Sequence, residues 1–285
     1  MALRVDVSMG PTRTRLAAPL SVGGLSERTA MWGSSVVGGP VLQTTPTALP
    51  GAAFALAAAT LGLGAGYFGY QAAAGPDDGR RVAALHAVVA VLAAAAYVAQ
   101  LYGLGLAETT LPVVGEVAAN WVRYLGWLAT TPLLLVALLS VAGAGPRAMV
   151  GFAFVDAAMI TSGFVATNAF EEGLVTDLST AILAFTVAIM LWAALLFGLY
   201  VAVPEPAPAF GRLRLWLVAL WSVYPAVWVL ANAGSVGVGA EATAYAVLDV
   251  VAKVAWGAAA VRLAAGIDVG TAPDGPHPTG VSTDD

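Results

Sequence analysis

The chain has 285 residues, of which 59% are hydrophobic and only 10% charged. A soluble domain carries about 25% charged residues, so a water-soluble globule is excluded and a membrane protein with short connections is expected. With no cysteine, and two histidines (His86 and His277) in separate regions, disulfides and a thiolate or histidine metal cluster are excluded; a net charge of −5 without a basic patch excludes nucleic-acid binding.

Residues 1–48 are rich in Gly, Ser, Thr and Pro, contain Arg4, Arg13, Arg15 and Arg28, and lack the apolar core of a signal peptide. They read as a disordered extracellular leader, with Met31 as an alternative start. Residues 49–266 then carry seven apolar segments, at 49–74, 82–105, 118–142, 147–168, 178–201, 211–233 and 241–266. Each is near the roughly 20 residues that a bilayer requires of a helix, so the expected fold is all-α, a seven-transmembrane-helix bundle. The connectors carry turn chemistry, as in Gly75-Pro76-Asp77-Asp78-Gly79 and Gly143-Ala144-Gly145-Pro146. The longer connector from Glu108 to Ala119 reads as a small β-hairpin over one mouth of the bundle. Residues 267–285 read as a disordered acidic tail.

Charge orients the bundle. Arg80 and Arg81, Arg147, and Arg212 with Arg214 fall in odd-numbered connectors, and Arg262 at the end of the seventh segment. The even connectors contain Glu108, Glu116, Glu171, Glu172 and Asp177, and no Lys or Arg. The positive-inside rule then makes the C-terminus cytoplasmic and the N-terminus extracellular, in a multi-pass protein of the cell membrane.

Three segments carry residues unusual for lipid. The third contains Trp121-Val122-Arg123-Tyr124-Leu125-Gly126-Trp127-Leu128-Ala129-Thr130-Thr131-Pro132-Leu133. At 100° per residue, Arg123, Gly126, Thr130 and Ala137 share one stripe of about 60°. The sixth contains Trp221-Ser222-Val223-Tyr224-Pro225-Ala226-Val227-Trp228, with aromatics at i, i+3 and i+7 beside a proline. Such a stripe alone serves packing or an interface belt; beside Trp127 it suits the walls of a slot for a flat apolar ligand. The seventh contains Lys253, the only lysine of the chain, four residues after Asp249. An ionisable residue there is costly and reads as functional. A buried amine is readily made nucleophilic and forms Schiff bases with carbonyls. The alternative is a structural ion pair between helices, which two partners on one helix make poorly. Arg123, Asp249 and Lys253 form the expected internal electrostatic set.

These three motifs, with Tyr97 in segment two and Phe154-Val155-Asp156, Met159 and Gly163 in segment four, resemble the archaeal microbial rhodopsins, the bacteriorhodopsin and halorhodopsin family. The resemblance covers about residues 50–266. It implies a photoprotein rather than an enzyme, with all-trans retinal held as a protonated Schiff base on Lys253 and Asp249 as counterion. It places Tyr97, Trp127, Thr130, Thr131, Met159, Gly163, Met190, Trp221, Tyr224, Pro225 and Trp228 around the retinal. It places Arg123, Gly126, Thr130, Asp249 and Glu241 on an ion path. The proton pumps of the family have carboxylates at the positions of Gly126 and Ala137, and this chain has none there. Halorhodopsins also lack both, and a chloride ion supplies the missing charge. The expected function is therefore a light-driven chloride transporter, with a sensory photoreceptor acting through a membrane transducer, or a non-pumping opsin, as the alternatives. The resemblance also implies a homo-oligomer, a trimer, in the lipid bilayer.

Overall fold

The computed structural model describes residues 48–111, 115–168 and 178–266. The expected leader at 1–48 (all but its last residue) and tail at 267–285 lie outside them. Seven helices cross the bundle: α1 (Ala48–Ala74), α2 (Asp77–Leu101), α3 (Trp121–Val141), α4 (Pro146–Asn168), α5 (Leu178–Val201), α6 (Pro208–Asn232) and α7 (Val238–Ala264). All seven are long and apolar enough to span a membrane. Their outward faces display Leu63, Tyr70, Val150, Phe154, Leu183, Phe197 and Val247. Such residues would make a sticky surface in water and are ordinary against lipid. Each helix packs on the next and α7 returns to α1 and α2, with the α5–α6 seam the loosest.

Between α2 and α3 the chain forms the expected hairpin, β1 (Leu106–Leu111) antiparallel to β2 (Gly115–Asn120), with Leu106 opposite Asn120. Gly103 and Gly105, at φ 76° and 74°, turn the chain out of α2 into it. Asn120 closes the hairpin and caps α3: its side chain accepts from the Arg123 N–H at 3.0 Å and donates to Gln100 Oε1 at 2.7 Å. This cap sets the height at which Arg123 enters the bundle.

The helix limits differ from the sequence expectation where polar residues join a helix end. Asp77 and Asp78 begin α2, where carboxylates complement the partial positive charge of the first turn. Pro208 opens α6, a position suited to its fixed φ and missing N–H. The helix thus starts three residues before the expected limit of 211, and Arg212 and Arg214, counted with the connector's charge in the sequence, lie in its first two turns. Arg214 is buried, paired with Glu205, donating to the Leu199 carbonyl and lying over the Tyr200 ring at 4.4 Å. Arg214 joins Arg123 as a buried arginine of the bundle.

α7 is interrupted by one π-helical turn at Val251–Ala255, with Lys253 at its centre. Such turns insert one residue into the helical repeat and re-aim the side chains beside it. No glycine or proline marks this one.

Candidate functional site

Asp249 is the hub of the bundle. It is 3% exposed, and its carboxylate pairs with Lys253 one turn further along α7. Tyr97 of α2 donates its hydroxyl to Oδ2 at 2.8 Å, and Tyr224 of α6 donates to Oδ1 at 2.8 Å. Trp127 of α3 points its indole N–H at both oxygens, 3.2 Å away. One carboxylate thus ties four helices together. A buried charge is tolerated only when it is paired and hydrogen-bonded to this degree.

Removing that charge should be costly. Asp249→Asn leaves the Lys253 ammonium buried without an ion partner, a defect worth about 3–5 kcal/mol in comparable buried pairs. Thermal denaturation of the retinal-free protein should show a lower midpoint for Asp249→Asn than for Tyr97→Phe, which removes one donor and keeps the charge. Equal midpoints would refute the hub.

Two cavities meet at Trp127. The larger, ≈ 120 Å³, is lined by Tyr124, Trp127, Thr131, Asp156, Met159, Ile160, Gly163, Phe185, Ala188, Ile189, Trp192, Trp221, Tyr224, Pro225, Trp228 and Tyr245. It is an aromatic slot between α3, α4, α5 and α6. Trp127 is held in edge-on contacts with Tyr124, Tyr224 and Tyr245, at centroid distances of 5.2, 5.3 and 5.1 Å. Phe185 stacks on Trp228 at 4.0 Å. Asp156 is fully buried, and its Oδ2 accepts from Thr131 at 2.6 Å. The smaller cavity, ≈ 10 Å³, has room for about one water-sized species. It is lined by Ala93, Ala96, Tyr97, Gln100, Arg123, Gly126, Trp127, Asp249 and Lys253.

Most of the predicted retinal-pocket residues lie together on the slot: Trp127, Thr131, Met159, Gly163, Trp221, Tyr224, Pro225 and Trp228. Tyr97 instead lines the smaller cavity, with Lys253. Thr130 lines neither: it is buried, and its hydroxyl donates to the Gly126 carbonyl at 2.7 Å. Met190 requires correction, because it is 66% exposed on the lipid face. The inward stripe of α5 is Phe185, Ala188, Ile189 and Trp192, at i, i+3, i+4 and i+7, and Met190 falls about 100° off it. The Arg123–Asp249–Lys253 set is also rearranged. Arg123 pairs with Glu241, Nη1 to Oε1 at 3.2 Å, and lies 4.6 Å over the Tyr245 ring. Glu241 therefore balances the charge of Arg123, and Asp249 that of Lys253.

Sequence reasoning did not single out Tyr124, Ile160, Phe185, Ala188, Ile189, Trp192 or Tyr245 as site residues. Tyr124 and Tyr245 had a usable signal: they lie three and four residues before Trp127 and Asp249, on the same helix faces.

A buried lysine–carboxylate pair beside an aromatic slot, inside seven membrane-spanning helices, defines a membrane protein built around a flat apolar prosthetic group. A family model described as "Bacteriorhodopsin-like protein" matches residues 49–267, and the chain belongs to that family, the type 1 microbial rhodopsins. It is 37% identical over 189 residues to "Bacteriorhodopsin" of Haloterrigena sp. (strain arg-4), covering 59% of this chain and 69% of the relative. It is 33% identical over 245 residues to "Bacteriorhodopsin" of Halobacterium salinarum, covering 78% and 91%. Among solved structures, a cyanorhodopsin from the cyanobacterium Tolypothrix sp. superposes with a TM-score of 0.66 at 28% identity, over 77% of this chain and 98% of that one. "Halorhodopsin, a light-driven chloride pump" superposes with a TM-score of 0.70 at 24% identity, over 78% and 97%, a likeness of fold.

Members of this family bind retinal through a Schiff base, and retinal is the cofactor of this chain. The slot fits it. Its walls are mostly aromatic and aliphatic; at one edge Thr131 donates to Asp156 Oδ2, while Asp156 Oδ1 and the Trp192 indole nitrogen are buried without a partner among the described residues.

Proposed function

We propose that the chain is a light-driven ion transporter that carries chloride inward, with retinal attached to Lys253. Lys253 is the only amine available on any side chain. Trp127, Trp221, Tyr224 and Trp228 would hold the retinal, Gly163 and Met159 would leave room for its ring, and Asp249 would serve as counterion. Retinal supplies the light-driven isomerisation; the chain supplies the charge environment that turns it into ion movement.

The observation that carries the chloride reading is the buried stripe of α3. Gly126 and Ala137 offer no group to take or give a proton, and Ala137 is fully buried among leucines. The cavity at Gly126 instead has the donors Arg123, Gln100 and Lys253 in its wall, suited to an anion, together with the Asp249 carboxylate. Illuminated cells should alkalinise their medium in a chloride-dependent way. Inward chloride makes the interior negative and draws protons in, so a protonophore should enhance the signal. Acidification of the medium, or a signal abolished by protonophore, would refute chloride transport.

A second reading, a photoreceptor coupled to a membrane transducer or a non-pumping opsin, is favoured by one specific observation. Lys253–Asp249 and Arg123–Glu241 balance charge pair by pair, with no anion required. The chloride titration argued in the Discussion separates the two.

The arginine-bearing ends of the helices face the cytoplasm in this proposal, and the hairpin faces outward. Protease added to intact cells should spare residues 267–285, and cleavage there would overturn the orientation. A homo-oligomer, a trimer as in the family resemblance, is the proposed assembly.

A further inference from the structure

His86 is used by nothing described so far. It sits on α2, fully buried, and neither ring nitrogen has a hydrogen-bond partner among the described residues. The buried face of α2 runs Val82, His86, Ala93, Tyr97 and Gln100. Ala93, Tyr97 and Gln100 line the Lys253 cavity. Val82 lines a third cavity, ≈ 470 Å³, at the arginine-bearing mouth, with Asp78, Arg81, Ser140 and Phe210. His86 is therefore the polar side chain on this face between the two cavities, one turn from the mouth.

α7 places it just as closely to Lys253. A Cβ on Gly257 would lie 2.6 Å from His86 Nδ1, so the imidazole fills the space this glycine leaves. Gly257 is four residues beyond Lys253, about 6 Å of helical rise. The ring lies between Phe68 and Trp256, at 5.3 and 5.6 Å. The surrounding belt, which includes Leu134 and Leu138 of α3 and Val261 of α7, is apolar. Phenylalanine or leucine would fill such a place without burying two unpaired nitrogens. Either neutral tautomer of imidazole carries one N–H donor, and an anion crossing an apolar belt needs a donor to replace water.

We propose that His86 is the relay site that holds the transported anion between Lys253 and the arginine-bearing mouth, its imidazole N–H donating to the ion. This rests on the chloride reading above. The imidazole lies one helical turn beyond Lys253 along α7 and about two turns beyond Ala93 of the Lys253 cavity along α2.

The test uses the full-length pigment with retinal in lipid vesicles, titrated with chloride against sulfate at fixed ionic strength. Two readouts are taken: the dark visible band, and the flash-induced absorption changes through recovery. In His86→Phe, which keeps a planar aromatic ring and removes the donor, the dark band and its response to chloride should match wild type. The late photocycle decay should slow by about tenfold or more, the fold-change expected on losing one hydrogen bond to a charged group, and lose its dependence on chloride. His86→Gln, which keeps an N–H, should recover much of the rate, whereas His86→Leu should not. If Phe or Leu disturbs folding, the remaining variant is compared with Gln. Equal decay rates and chloride dependence in donor and non-donor variants overturn the relay alone. A wild-type pigment whose band and photocycle ignore chloride overturns the chloride reading and the relay with it.

Discussion

Lys253→Ala should abolish visible absorption after retinal is added, leaving only the near-ultraviolet band of free retinal. Lys253 is the only lysine in the chain, so no neighbouring amine can form the Schiff base in its place. The loss should be complete rather than partial, because the visible colour requires the covalent, charged linkage. It should also be separable from misfolding. In the variant, Asp249 loses its ion partner, which should lower the thermal midpoint, but it keeps the donated bonds of Tyr97, Tyr224 and Trp127, so the contacts that join four helices persist below that midpoint. Circular dichroism of Lys253→Ala should therefore match the wild-type opsin. A visible pigment in a folded Lys253→Ala protein would refute the attachment site.

That pair illustrates what a membrane sequence exposes to reading. Seven spans were legible because the bilayer demands long apolar runs, and the hairpin because the Gly-rich exit from α2 precedes a stretch with β-branched residues. Lys253 and Asp249 were legible because any charge in such a run stands out, and the i, i+4 spacing puts both on one face. The aromatic stripe of α6 was legible for the same reason of contrast. α5 offered no contrast. It is apolar all round, so nothing in its pattern says which face turns inward, and the choice fell on Met190 instead of the stripe Phe185, Ala188, Ile189 and Trp192. The partner of Arg123 was hidden for a different reason. Asp249 and Glu241 lie eight residues apart on α7, both on faces that reach α3. Which of them meets Arg123 depends on the height set by the Asn120 cap and the π-helical turn, and that turn has no sequence mark.

Chloride, added at fixed ionic strength, should shift the visible band of the wild-type pigment, and Gly126→Asp should weaken that dependence. The charged Schiff base lies in a low-dielectric interior, where a nearby anion changes the energy of its charge far more than it would in water. The cavity at Gly126 is the one that Arg123, Lys253 and Asp249 share. Aspartate at this position would place a fixed negative charge where the anion is proposed to sit. Two like charges about 4 Å apart repel by ~4 kcal/mol at an effective dielectric constant of 20. That exceeds the roughly 1.4 kcal/mol that shifts a binding constant tenfold, so the half-saturating chloride concentration should rise by at least about tenfold. Space is the one complication: a Cβ at this position would lie 3.0 Å from the Ala96 methyl. The variant is therefore best read beside Gly126→Asp with Ala96→Gly, which relieves the contact without touching charge. If chloride dependence weakens in both variants, the cause is the carboxylate; if only in the crowded single variant, it is displacement of α2. If the wild-type band ignores chloride throughout, Asp249 is sufficient as counterion, with Glu241 neutralising Arg123. The anion-transport reading then yields to a photoreceptor or non-pumping opsin.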